Sequence, residues 1–186
     1  MKRTALLCVL VIAMPALAYG DSWAFEAKVT EKVYEFGKSK IVLKVDATKD
    51  QSWPEHTLSI YLDGKLMAQY KNVGFEQIFA SPDNTFFLGV SNSGIPGTAF
   101  VIFDKEGNLI REEKHNFMAM SIYTEISVTL DRQWYDAKNP TVEFVSDGKR
   151  LGKVLIRGDS GKTYNLLYRD REYRRFEEPA EEKGST

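Results

Sequence analysis

The run Gly89-Val90-Ser91-Asn92-Ser93-Gly94 carries the residue types of a serine nucleophile held in a tight turn. A nucleophile elbow needs G-x-S-x-G where a strand passes into a helix, because the strained turn exposes the hydroxyl. Here Ser93 stands where the second glycine belongs, and no helical pattern follows. A β-turn rich in serine, asparagine and glycine explains these residues without catalysis.

His56 and His115 are the two imidazoles of the chain, and neither has another histidine or a cysteine at ligand spacing. A zinc or iron site takes three or four nitrogen or sulfur donors, so no metal is expected. Both histidines sit beside or just before polar loop residues; His115 as a general base would need a partner supplied by the fold, and a solvated loop histidine is the plainer reading of it. Asp104, Glu106 and Asn108 alternate like the first ligands of a calcium loop. That loop requires glycine at its sixth position and a bidentate glutamate at its twelfth. Leu109 and His115 stand there, which leaves a hairpin. Neither G-x-x-x-x-G-K-[ST] nor G-x-G-x-x-G is present, so no nucleotide or other cofactor is expected. Carboxylates for glycoside hydrolysis would come from separate strands and leave no spacing to read.

The segments that must position any site read as β almost throughout. Ile41, Leu43 and Val45 share a face, as do Phe86, Leu88 and Val90, and Val142 with Phe144. Ile122 to Leu130 alternates, and Tyr164, Leu166 and Tyr168 fall on one side. Period-two alternation marks half-buried strands. Ala99-Phe100-Val101-Ile102-Phe103 is apolar on both faces and is expected to be central, covered on each side. Phe25, Val29, Val33 and Phe36 fit a helical stripe as well as a strand; the β-branched content favours a strand.

Turns with glycine near the end of a short loop punctuate these runs. Asp63-Gly64-Lys65, Asp104 to Asn108 and Gly158 to Lys162 each separate two hydrophobic segments, which is the hairpin signature. Aligned on Gly64, Gly107 and Gly161, they suggest three weak repeats. The middle unit is the fullest, with turns at Ser81-Pro82-Asp83-Asn84, at Asn92 to Gly97 and at Glu106-Gly107-Asn108. Residues 74–115 resemble a blade of the Tol-type β-propeller repeats of bacterial periplasmic proteins. In those repeats a Ser-Pro-Asp turn leads into a hydrophobic strand. The flanking units match poorly; Asp136-Ala137-Lys138-Asn139-Pro140 stands where such a turn would fall.

The fold class expected is all-β, an antiparallel meander of about ten to twelve strands. It would form a sandwich, a barrel or a curled propeller-like sheet. Three units fall short of the about four blades of the smallest closed propeller. The chain is expected to curl on its own, the alternative being a ring completed by self-association.

At the start, Lys2 and Arg3 precede an apolar run from Ala5 to Met14, then Pro15 and Ala16-Leu17-Ala18. A basic n-region, an apolar core and an A-x-A site make a secretory signal peptide over 1–18, cleaved between Ala18 and Tyr19. The run is shorter than the about 20 residues a spanning helix needs, so no membrane span is expected after cleavage. The single cysteine, Cys8, leaves with the leader. A cysteine-free exported chain without an N-x-S/T acceptor suggests a bacterial periplasmic or secreted protein.

The remaining domain is expected over 19–168, followed by a charged, flexible tail over 169–186. That tail is basic and aromatic through Arg174, Arg175 and Phe176, then acidic. A formal net charge of −1 gives no basic surface, so no nucleic acid is expected. Trp134 and Tyr135 are candidate contact residues with Arg174, Arg175 and Phe176, since aromatic and arginine side chains dominate interfaces. Burial at the ends of a sandwich core is the plainer role for Trp134 and Tyr135. The function expected is an exported binding or scaffold module with an envelope protein partner. The alternatives are a small extracytoplasmic hydrolase and a carrier of a small apolar ligand.

Overall fold

A computed structural model describes residues 26–50, 52–93, 97–115, 125–126 and 132–167. Its strands are β1 (Val29–Phe36), β2 (Ser39–Asp46), β3 (Glu55–Leu62), β4 (Lys65–Lys71), β5 (Gln77–Ala80), β6 (Phe86–Val90) and β7 (Thr98–Asp104). They continue with β8 (Leu109–Lys114), β9 (Glu125–Ile126), β10 (Arg132–Gln133), β11 (Val142–Ser146), β12 (Leu151–Arg157) and β13 (Thr163–Asn165). Three meanders follow chain order: a first sheet β1-β2-β3-β4, a middle sheet β5-β6-β7-β8 and a third sheet β11-β12-β13. Strands β9 and β10 form a separate short pair. All pairings are antiparallel, as the alternation predicts. Val29–Phe36 is a strand and not a helix. No helix among the described residues is long and apolar enough to cross a membrane.

The sheets stack like a sandwich with one extra layer, and the middle sheet explains why. Successive side chains of a strand point to opposite faces. The pairs Phe87 with Phe103 and Gly89 with Val101 face the first sheet. Leu88 with Ile102 and Val90 with Phe100 face the third. Every residue from Ala99 to Phe103 is fully buried, because both faces are covered. Ile41 and Leu43 of β2, paired with Ile60 and Leu58 of β3, close the first interface. Val154 and Ile156 of β12, with Tyr164 and Leu166, close the second. A register shift at the start of β7 turns both Ala99 and Phe100 toward the third sheet.

The ends of the stack differ. At one end the β1–β2, β5–β6 and β11–β12 turns lie together. A Cβ on Gly37 would stand 3.6 Å from the Asn84 side chain, and one on Gly148 3.6 Å from Asp83. The β3–β4 and β7–β8 turns join this end: Asp63 N donates to Lys38 O at 3.0 Å and Lys105 N to Thr85 O at 2.9 Å. Asp63 and Gly64 have φ of 49° and 78°, the left-handed pair a two-residue hairpin demands.

The opposite end gathers the loops after β2, β4, β6 and β12. Asp159 N donates to Trp134 O, and Trp134 in turn reaches the loop after β6. Gly161 therefore turns the chain at the loop end, whereas Gly64 and Gly107 turn it at the other. The three-hairpin alignment is corrected on this point. Glycine marks where the chain reverses, and it carries no information about which end of the sheet the reversal occupies. The equivalent of the Ser81–Asn84 turn in the third sheet is Asp147 to Arg150, where Asp147 Oδ1 accepts from the N–H groups of Lys149 and Arg150.

Candidate functional site

The loop end holds the residues with chemistry to offer. After β2 the chain is clipped by Asp50, whose Oδ1 accepts from Ser52 N at 2.9 Å and Trp53 N at 3.0 Å. Such an Asx clip fixes the backbone locally. Trp53 is left 56% exposed on it. Pro54 follows, and its carbonyl oxygen accepts from His56 Nδ1 at 2.9 Å. A carbonyl can only accept, so Nδ1 carries the hydrogen and Nε2 is the basic atom.

His56 lines a cavity of about 110 Å³ together with Glu55, Thr57, Lys71 and Asn72. Burial lowers the affinity of its imidazole for a proton, and the Lys114 charge adds to this, against the Pro54 bond. Asn72 takes a left-handed φ of 58°, and its N–H donates to His56 O at 2.7 Å. This closes the β3–β4 ladder and sends the chain across to the middle sheet. From that sheet Lys114 donates to Asn72 O at 2.9 Å and Thr98 Oγ1 at 3.1 Å, and it pairs with Glu112. A tryptophan platform therefore stands two residues before the wall of a small polar cavity bearing carboxylate, ammonium, imidazole and amide groups.

A second polar group ties the middle sheet to the third. Trp134 Nε1 donates to Ser91 O at 2.8 Å, and Trp134 N to Asn92 Oδ1 at 3.2 Å. Asn92 N donates in turn to Glu76 Oε2 at 2.8 Å. Trp134 and Tyr135 are 0% and 1% exposed within the second core cluster, so both are interior residues and not a contact face. Burial, with the nearby Glu76 charge, keeps the Tyr135 hydroxyl neutral far above its ordinary range. Ala18, Tyr19, Arg174, Arg175 and Phe176 lie outside the described residues.

The serine loop is structural. Ser91 is 1% exposed, its hydroxyl accepts from Ser93 N at 2.9 Å and donates to Ser93 O at 3.3 Å, and the loop joins two strands. Asp104 spends both carboxylate oxygens on Asn108, at 2.7 and 2.8 Å, as a turn does. Among the described residues no three His, Cys, Asp or Glu side chains are grouped to hold a metal ion.

The expectation of a solvated His115 is corrected: it is 5% exposed, as is His56, which stands within strand β3. Among the described residues Trp53, one of the aromatics the sequence places near strand ends or loops, is an exposed indole. The signal available was Asp50 three residues ahead of it, an Asx clip followed by Pro54.

The fold defines an all-β protein of stacked antiparallel meander sheets. No protein-family model, curated protein or solved structure matches the chain.

Proposed function

We propose that this protein is an exported binding module of the cell envelope, built on propeller-blade-like sheets. The observation that carries the reading is Trp53. An indole 56% exposed on a backbone clipped by Asp50 is a rigid, amphipathic anchor of the kind that dominates interfaces. The cavity whose lining begins two residues further on, at Glu55, supplies hydrogen-bonding groups of both charges to orient a partner. Several other polar groups of the two sheet joints are already spent as ties: Lys114 to Asn72, Trp134 to Ser91, Arg111 to Leu166 and Tyr70 to Gly107. The blade-like reading is supported by the shared strand order of the first two sheets and by the stacked turns. The export leader at 1–18 supplies the location.

A photo-reactive amino acid at position 53, expressed in the native cell, tests this. One protein crosslinked from position 53, and lost when Lys71 and Glu55 are replaced by alanine, is the expected result. No adduct from position 53, with the protein folded and exported, would overturn it.

A further inference from the structure

We propose that the outer face of the first sheet, at strands β1 and β2, joins two copies of this chain about a two-fold axis that runs along the strands. Tyr34 and Phe36 of β1 and Ile41 and Leu43 of β2 pack in the first core cluster. Their neighbours along each strand therefore point the other way, onto the outer face. The register sets those neighbours in three rows: Glu31 beside Lys44, Val33 beside Val42, and Glu35 beside Lys40. An apolar row thus lies between two rows of opposite charge. Val33, at its centre, is left 49% exposed.

The charges of this face are not spent within the chain. Among the described residues Glu31, Glu35, Lys40 and Lys44 form no ion pair, although each stands beside an opposite charge. Lys40 instead lies over the Tyr61 ring, 6.0 Å from its centroid.

An axis between β1 and β2, parallel to both, sets β1 of one copy over β2 of the other and keeps each residue at its height along the strand. In such an isologous contact each residue meets the cross-strand neighbour of its own counterpart. Val33 comes onto Val42, Glu31 onto Lys44 and Glu35 onto Lys40, each twice. The result is an apolar centre between two quartets of alternating charge, the core and rim of an interface. Other ways of joining fail on charge. An axis across the strands at the Val33 row would lay Glu31 on Glu35 and Lys40 on Lys44. Edge-to-edge pairing of β1 with β1 about Val33 also sets Glu31 against Glu35, and about Lys32 it sets that ammonium against itself. The outer face of the third sheet lacks the property. There the same operation between β11 and β12 would lay Glu143 on Leu155 and Val145 on Lys153. Two strands a side make a small contact, so the association is weak and sensitive to salt.

Sedimentation velocity on the purified protein over a range of concentrations tests this. A monomer–dimer equilibrium that weakens with added salt is expected. Glu31→Lys lays lysine on Lys44, and Lys44→Glu lays glutamate on Glu31, so each variant alone should dimerise about tenfold or more weakly. Mixed, the two should dimerise again, because every facing pair is then of opposite sign. That rescue leaves the like charges within each chain in place, so it cannot come from repaired folding. Glu35→Lys and Lys40→Glu form a second such couple, should a variant of the first fail to fold. A monomer at every concentration up to about 1 mM in low salt would overturn the proposal. So would mixtures that stay monomeric, species larger than a dimer, or stronger association of Glu31→Lys alone, the mark of edge pairing.

Discussion

Lys114, the last residue of β8, donates to the carbonyl oxygen of Asn72 at 2.9 Å and so joins the middle sheet to the connection leaving the first. The same ammonium sits close enough to His56 to oppose its protonation. One cation thus holds the sheet joint and adds to the burial that lowers the proton affinity of the imidazole lining the cavity. Replacing Lys114 by methionine keeps the stem and removes the charge. Stability should fall by about 1–3 kcal/mol, as for hydrogen bonds to a charged donor, in chemical denaturation. The His56 proton affinity should rise toward the ordinary value of 6.5, as followed by NMR titration of the ring.

His56 itself makes stability depend on pH. Burial, helped by Lys114, holds its pKa below 6.5, so the unfolded chain binds this proton more readily than the folded one. Stability from this source is complete above pH 6.5 and is lost as pH falls from there toward the folded pKa, at no more than about 1.4 kcal/mol per pH unit. Below the folded pKa the loss levels off. His56→Gln, neutral throughout, should flatten the wild-type slope in that window. Equal slopes in urea denaturation of the two proteins would show that His56 does not carry the effect.

The Ser81–Thr85 turn makes a prediction at acid pH and another at any pH. Ser81 Oγ accepts from Thr85 N at 3.1 Å and Phe86 N at 2.9 Å while donating to Asp83 Oδ1 at 2.6 Å. Ser81→Ala strands the Phe86 N–H in a buried position, while Thr85 N keeps Asp83 Oδ1 at 3.2 Å, and it should cost about 1–3 kcal/mol. The Ser81 hydroxyl, more than Thr85, holds the Asp83 carboxyl below its ordinary 3.8. Asp83 therefore contributes stability that is present above pH 3.8 and lost as pH falls through its lowered pKa. Asp83→Asn should lose that acid dependence, read from thermal melts between pH 5 and pH 2.

Much of the fold was legible in alternation and turn chemistry. Ala99 to Phe103, apolar at every position, is the strand covered on both faces. Asp63-Gly64 makes the hairpin its residues specify. What alternation cannot express is which sheet a face meets: Leu88 and Phe87 are both apolar, yet they serve different cores. It cannot give the end at which a turn lies either, which is why Gly161 looked equivalent to Gly64 and Gly107. The candidate site was harder to read. Trp53 and Trp134 are the same residue type near strand ends, and only the packing of the third sheet buries one and spares the other. His56 looked like a loop residue because Pro54 and Glu55 precede it, yet it is the second residue of strand β3 and is buried there.

Tight packing of the first interface can be tested at Gly89. A Cβ there would lie 2.5 and 2.7 Å from ring atoms of Phe75 and 3.0 Å from Val101, far inside contact distance. Glycine is required by this close approach between β6 and the connection entering β5. Phe75 is buried in the first core cluster and packs at 5.8 Å from the Tyr34 ring, so its ring has little room to retreat. Gly89→Ala should therefore destabilise by about 1–3 kcal/mol, the usual cost of overpacking. Phe75→Leu alone should also destabilise, through lost contact and a cavity. Combined, the two should cost less than the sum of the separate effects, because leucine vacates the space the new methyl group enters. A double-mutant cycle by denaturant unfolding measures that coupling directly. Strict additivity would place the Gly89 and Phe75 effects in independent surroundings and contradict the contact between them.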